Sequence, residues 1–308
     1  MEPGETEARA DPLGASMANL SDLLVACLDA AGARTVIEVG AFEGELTDRL
    51  LGWAADTDAR ITAIDPDPTP ELQGLAGREA RLELIAETSL STLPKAPAAD
   101  AVVIDGDHNH YTVLGELNAI AERVGEGPLP LIALHDVCWP HARRDTYYAP
   151  DRIPADHRQP VARDVLLAPG VEGTAPAGIR FPFAAEREGG PRNGVLTAVE
   201  DFLADRDGLR FALVPAFFGM GVIWPEGAHW GSAVGDVLEP WDRNEMIERL
   251  EEIRIAYIVD RYRLEHQEAL LRSLLDSRAF ALAERLSEMR RRGDPAISRD
   301  EIRRVLGA

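Results

Sequence analysis

Two stretches of this 308-residue chain place chemically useful residues at telling intervals. The first is Glu38-x-Gly40-x-x-x-Gly44, preceded by Val36-Ile37 and followed by Asp65 at the end of Ile61-Thr62-Ala63-Ile64. Glycines in a strand-to-helix turn let backbone amides and a helix N-terminus face a ligand anion, and an ionised acid closing the next strand can accept from both hydroxyls of a ribose. A dinucleotide cradle needs a third glycine, as G-x-G-x-x-G. Only two are present, which points away from a pyrophosphate and toward a smaller ribose-bearing ligand. Glu87, Thr88 and Ser89 follow a third apolar run and are placed to face its base.

The second stretch is Val103-Ile104-Asp105-Gly106-Asp107-His108-Asn109-His110-Tyr111, joined by His135-Asp136 after a later apolar run. Ligands of open α/β sheets bind beyond the carboxyl ends of the strands, so both segments face the crevice of the glycine turn. Their acids and imidazoles suit proton transfer, and His108 is the base candidate on its intrinsic pKa. Aspartate and asparagine also cap helices, and Asp107 or Asn109 could do only that.

These residues need a frame, and the hydrophobic pattern supplies one. Met17, Leu20, Leu24 and Leu28 fall at helical spacing within 15–31. Strands are expected at 34–39, 60–65, 82–85, 101–105 and 129–135, with helices at 45–54, 71–76 and 111–124 between them. Such alternation implies a parallel sheet with right-handed crossovers. A helix at 195–203 and an antiparallel hairpin, 210–215 with 219–224, then close it. The expected fold is α/β: a doubly wound, Rossmann-like, mostly parallel seven-stranded sheet with an antiparallel last strand, a long loop insertion and a C-terminal helical extension.

The boundaries follow: a mobile tail at 1–14, one domain at 15–240 containing the insertion 138–194, and helices over 241–308. The insertion is rich in proline, glycine and arginine, with little periodicity; a loop of that length is usually functional or disordered. Its His141, Arg143, Arg144, Tyr147, Tyr148 and His157 mix aromatic faces with donors and would suit an acceptor pocket, although covering a sheet edge or an oligomer contact fits the composition equally. Beyond Trp241, Leu250, Ile253, Tyr257 and Ile258 form a stripe that Leu264, Leu270, Leu271, Leu274 and Leu275 extend. It serves either to dock on its own domain or to form a homo-oligomer. Ser298-x-x-Glu301 reads as a capping box opening a last helix at 300–306.

Composition narrows the partners. A net charge of −21 repels phosphate backbones, so nucleic acid is not expected. No apolar run reaches membrane-spanning length and no leader pattern is seen, which together suggest a cytoplasmic protein. Two distant cysteines, Cys27 and Cys138, give neither a disulfide framework nor a thiolate metal site.

The Glu38–Gly44 motif with Asp65 resembles the first motif of class I S-adenosylmethionine-dependent methyltransferases. The Asp105-Gly106-Asp107-His108 turn and His135-Asp136 narrow that resemblance, over about residues 34–137, to the group that includes macrocin O-methyltransferase and its sugar-methylating relatives. The resemblance implies S-adenosyl-L-methionine as cofactor, with Glu38, Gly40, Gly44, Asp65, Glu87, Thr88 and Asp105 around it. It implies O-methylation of a small-molecule hydroxyl, with Asp107 as a base candidate beside His108. Some members hold a magnesium ion on the first aspartate of the turn and an Asp-Asp pair after the next strand. Here those positions are Asp105, His135 and Asp136, and the histidine shifts preference from Mg²⁺ toward Mn²⁺ or Fe²⁺. Members ending in His-Asp that use no metal leave the route open between a general base and a divalent ion. Two other readings stand beside this one. A metal-dependent hydrolase or oxygenase would use Asp105, Asp107, His135 and Asp136, and would leave Asp65 without a task. A non-catalytic nucleotide-binding assembly protein would work through its terminal helices.

Overall fold

The structure is a computed structural model that describes residues 14–125, 127–290 and 299–306. Five short runs rich in Val, Ile and Leu form parallel strands: β1 (Thr35–Val39), β2 (Arg60–Ile64), β3 (Leu82–Ile85), β4 (Ala101–Ile104) and β5 (Leu131–His135). Between and before them lie α1 (Ser21–Ala31), α2 (Glu45–Thr57), α3 (Pro70–Arg78), the single turn α4 (Ser89–Thr92) and α5 (His110–Val124). After β5 come β6 (Val161–Leu167), β7 (Ile179–Ala185), α6 (Val195–Ala204), β8 (Leu209–Val214) and β9 (Met220–Pro225). Four helices follow: α7 (Gly231–Leu238), α8 (Glu245–Asp276), α9 (Arg278–Arg290) and α10 (Arg299–Leu306). The main sheet runs β3-β2-β1-β4-β5-β9-β8, with β9 antiparallel to both neighbours. This is the seven-stranded, mostly parallel α/β fold expected from the sequence.

Alternation along each strand sends successive side chains to two separate apolar layers. Val36, Val103, Ala133 and Val222 pack with Leu24, Leu28 and Leu50 of α1 and α2. Ile37, Val102, Ile132 and Ile223 pack with Leu117 of α5 and Phe202 of α6 on the other side. Each buried Val, Leu, Ile or Phe among them contributes roughly 1.5–3 kcal/mol by leaving water. β4 and β5 are buried throughout, so the acids that close them are held at fixed height.

Local signals set the helix ends. The Thr69 hydroxyl accepts from the Leu72 amide with Pro70 in the first turn, and Asn109 accepts from the Thr112 amide to start α5. Asn244 caps α8 through the amides of Met246 and Ile247.

Three expectations change. The insertion is not a structureless loop: β6 and β7 pair antiparallel from Val161↔Ala185 to Leu167↔Ile179. Pro182 inside β7 and Asp164 inside β6 disguise the strands, since both residues are depleted in sheets. α7 has no counterpart among the expected elements; its two glycines weaken the helical signal, while Val234 and Leu238 secure it against the first apolar layer. The stripe on α8 divides. Ile255 and Ile258 pack with Ile179 and Phe218, whereas Leu250, Ile253, Tyr257 and Leu264 are exposed. Of the expected tail only Gly14 is described, and the Ser298 end of the capping box lies outside the described residues. Both cysteines are free thiols, and no helix among the described residues is long and apolar enough to cross a membrane.

Candidate active site

The glycine turn sits where β1 meets α2. Gly40 has φ +84°, and a Cβ there would lie 2.3 Å from the Asp105 carbonyl oxygen, so the turn after β1 presses directly on the turn after β4. Gly44, at φ +85°, is the N-cap of α2 and has no side chain to accept from the first-turn amides. Asp65 fixes this turn: its two oxygens accept from the amides of Phe42 and Asp67, each at 2.9 Å. Glu38 is buried beneath and accepts from the Thr47 hydroxyl at 2.7 Å. Burial pushes its carboxyl up to about 8.

A cleft of about 790 Å³ opens over this turn, and Glu38, Gly40, Asp105, His108, Asp136 and His141 all line it. Asp105 follows β4 and Asp136 follows β5, the latter at φ +60°, a left-handed conformation that costs a non-glycine residue free energy and is concentrated at functional sites. Around these acids stand three imidazoles. His108 Nε2 is 2.9 Å from Asp136 Oδ2 and 3.8 Å from Asp105 Oδ1. His135 Nδ1 is 3.1 Å from Asp105 Oδ1 and 3.5 Å from Asp136 Oδ2. His141 Nε2 is 3.7 Å from Asp136 Oδ1, and its ring lies 4.4 Å from that of His108.

Charge organises the cluster. Burial opposes an imidazolium at His135, but Asp136 and Asp105 hold it well above the usual histidine range. The same contest at His108 is decided in the same direction, chiefly by Asp136. Against its own burial, Asp136 is held well below the usual carboxylate range by the surrounding imidazoles. His141 differs: burial pushes it down to about 3, which leaves it neutral.

The structure separates the expected site residues. Asp107 does not line the cleft; it accepts from the Thr112 hydroxyl at 3.1 Å and from the His108 amide, and so shapes the turn. Glu87 and Thr88 are exposed outside the cleft lining, with Glu87 accepting from the Ser91 and Thr92 hydroxyls and Thr88 at the N-cap position of α4 without a side-chain cap bond. Ser89 is buried and donates to Glu116, a carboxyl that burial raises to about 8. His110 pairs with Asp201 at 2.7 Å and links α5 to α6.

The insertion builds the far wall. Tyr148, Phe181 and Phe183 line the cleft with Phe218 and Tyr262, the last contributed by α8. Buried Asp145 anchors the segment by accepting from the amides of His110 and Gly194 and from the Tyr147 hydroxyl. Arg144 is 1% exposed and donates to the carbonyls of Ala185 and Glu172. Arg143 instead pairs with Glu200, and His157 lies against Tyr111. His141 is the cluster member that sequence reasoning did not join to the acids: it lies in an aperiodic segment, and only its nearness in sequence to Asp136 signals it.

The donors fit a divalent cation. Two groups, Asp105–His135–Asp136 and His108–Asp136–His141, each bring their donor atoms within 4.8 Å. His135 Nε2 lies 2.8 Å from the Phe217 carbonyl, so it carries the proton and Nδ1 turns toward both carboxylates. A neutral imidazole there would set a lone pair against two anions, and either a proton or a cation relieves that.

Residues 37–137 match the model of a family described as a methyltransferase domain, a span from β1 to just past β5. No curated protein matches the chain. Among solved structures, a candidate caffeoyl-CoA O-methyltransferase from Staphylococcus aureus has a TM-score of 0.43 and 12% identity, covering 67% of this chain and 83% of the other. For an SAH-bound methyltransferase from Podospora anserina the values are 0.42, 16%, 67% and 77%. For a candidate O-methyltransferase from Nostoc punctiforme they are 0.41, 13%, 68% and 56%.

Proposed function

We propose that the chain is an S-adenosylmethionine-dependent O-methyltransferase acting on a hydroxyl of a small molecule, such as a sugar or a glycosylated natural product. The observation that carries this reading is that the glycine turn and the acid–imidazole cluster open into one cleft. Asp65 takes the ribose hydroxyls, and the first-turn amides of α2 receive the amino-acid carboxylate of the methyl donor. An acceptor hydroxyl on the cleft floor faces Asp105, His108 and Asp136. Its oxygen attacks the methyl carbon in line, the carbon–sulfur electron pair goes to sulfur, and the hydroxyl proton is drawn off by the cluster. The aromatic wall of the insertion keeps water from the reacting atoms. A divalent ion bound by Asp105, His135 and Asp136 would supply Lewis acidity that lowers the acceptor's pKa.

The test is release of S-adenosylhomocysteine from S-adenosylmethionine with a panel of hydroxylated acceptors, read together with the mass of the methylated product. Turnover that His108→Ala lowers about a hundredfold while cofactor binding persists is the expected result. A protein that binds the cofactor and methylates only amines would overturn the oxygen assignment.

A further inference from the structure

We propose that His108, Asp136 and His141 form a transition-metal site to which the insertion contributes a ligand, so that the ion fastens the acceptor wall to the sheet. These three residues come from separate parts of the chain: the turn after β4, the end of β5 and the start of the insertion. Their donor atoms lie within 4.8 Å of one another, and all three residues line the cleft. Cis donors around an ion with bonds of about 2.1 Å stand roughly 3–3.5 Å apart. His108 Nε2 stands 2.9 Å from Asp136 Oδ2 and His141 Nε2 stands 3.7 Å from Asp136 Oδ1, so the two imidazoles face the two oxygens of one carboxylate and small movements bring one donor from each residue onto an ion.

The hydrogen bonds around the site support a cation there. His108 Nε2 is buried close to Asp136, yet it has no directed hydrogen bond. His141 Nδ1 lies 2.9 Å from the Thr146 hydroxyl. With Nδ1–H donated to that oxygen, the Nε2 lone pair faces Asp136, the arrangement in which a protein histidine binds metal. The Thr146 amide in turn donates to the His108 carbonyl at 2.9 Å, and Thr146 bridges to Ala184 of β7. A path therefore runs from the ion through His141 and Thr146 to the hairpin that carries Phe181 and Phe183.

This set differs from Asp105–His135–Asp136. Two imidazoles and one carboxylate favour Mn²⁺, Fe²⁺, Co²⁺ or Zn²⁺ over Mg²⁺ and Ca²⁺, which prefer oxygen. The site does not rest on methyl transfer, and its test reads metal rather than turnover.

The full chain, stripped of metal with a chelator, is titrated with CoCl₂ and followed by the visible d–d absorption of bound Co²⁺. The expected result is one saturable Co²⁺ per chain that millimolar MgCl₂ does not displace. His141→Ala and, separately, Thr146→Val should weaken Co²⁺ binding by about tenfold or more and alter the band. Added Co²⁺ should protect the insertion from limited proteolysis in the wild type but not in His141→Ala. Circular dichroism establishes that each variant is folded, and Thr146→Val carries the test if His141→Ala is not. Absence of saturable binding to the wild type, displacement by Mg²⁺, or unchanged affinity and spectrum in the folded variants would each overturn the proposal. S-adenosylhomocysteine binding, measured on the wild type, tests the methyl-donor reading separately from these outcomes.

Discussion

Gly40 and Gly106 touch backbone to backbone: a Cβ on Gly40 would stand 2.3 Å from the Gly106 Cα. The turns after β1 and β4 can lie in one cleft floor only because Gly40 carries no side chain; a Cβ on Gly106 would meet Gly40 at an ordinary 3.7 Å. Gly40 also holds φ +84°, where an L-residue is strained.

Gly40→Ala is therefore expected to lose about 2–4 kcal/mol of stability and to lose binding of the methyl donor. Gly52→Ala is the control. Gly52 lies inside α2 with nothing within 4 Å of an added Cβ, so the change should stabilise by up to about 1 kcal/mol. Chemical denaturation of both variants checks the pair; equal effects would contradict the contact.

The two buried carboxyls give stability a pH dependence. Glu38 and Glu116 are each raised by burial from an ordinary 4.5 to about 8 in the folded chain. Folding therefore holds their protons. Their contribution is complete below about pH 4.5 and fades as pH rises through about 8. Each unit of pKa difference is worth about 1.4 kcal/mol, so wild-type stability should fall by several kcal/mol over that range. The double variant Glu38→Gln/Glu116→Gln should flatten the slope in urea melts at a series of pH values; an unchanged slope would contradict the assignment.

Asp107 and His108 are neighbours with different surroundings. Asp107→Asn is expected to change turnover little, because its carboxylate is engaged by Thr112 and by the turn. His108→Ala should cost about a hundredfold in kcat. Steady-state kinetics decides, and a larger loss in Asp107→Asn would return the base role to that residue.

How much of this was legible in the residues follows from what each signal encodes. Val36-Ile37, Val102-Val103 and Ile132-Ala133 send alternate side chains to two layers, a local pattern that any reader of the chain can follow. Asp105, His108, His135 and Asp136 were legible because strand ends gather on one edge of a parallel sheet. His141 was not, since nothing periodic joins it to that edge and its ring is held by tertiary contacts with Thr146, His108 and Phe181. β6 and β7 were hidden by Asp164 and Pro182, which survive in a solvent-facing two-stranded ribbon. On α8 the apolar positions merge two faces, and only packing against Phe218 and Ile179 separates Ile255 and Ile258 from Leu250 and Tyr257.

Arg144 holds the insertion in shape by donating to the carbonyls of Ala185, Glu172 and Gly173. Arg144→Met removes the donor from the buried Ala185 carbonyl and from the carbonyls of Glu172 and Gly173, and should cost on the order of 2 kcal/mol. Faster proteolysis within 138–194, with cofactor binding retained, is the expected reading. Loss of cofactor binding instead would show that the insertion also supports the glycine turn.

The central claim is that the cleft above Gly40 receives the methyl donor, and calorimetric titration with S-adenosylhomocysteine tests it most directly. Saturable binding of one molecule per chain, lost in Gly40→Ala and weakened at least about tenfold in Asp65→Asn, is the expected result. Absence of binding to the folded wild type, or binding that both variants leave unchanged, would contradict it.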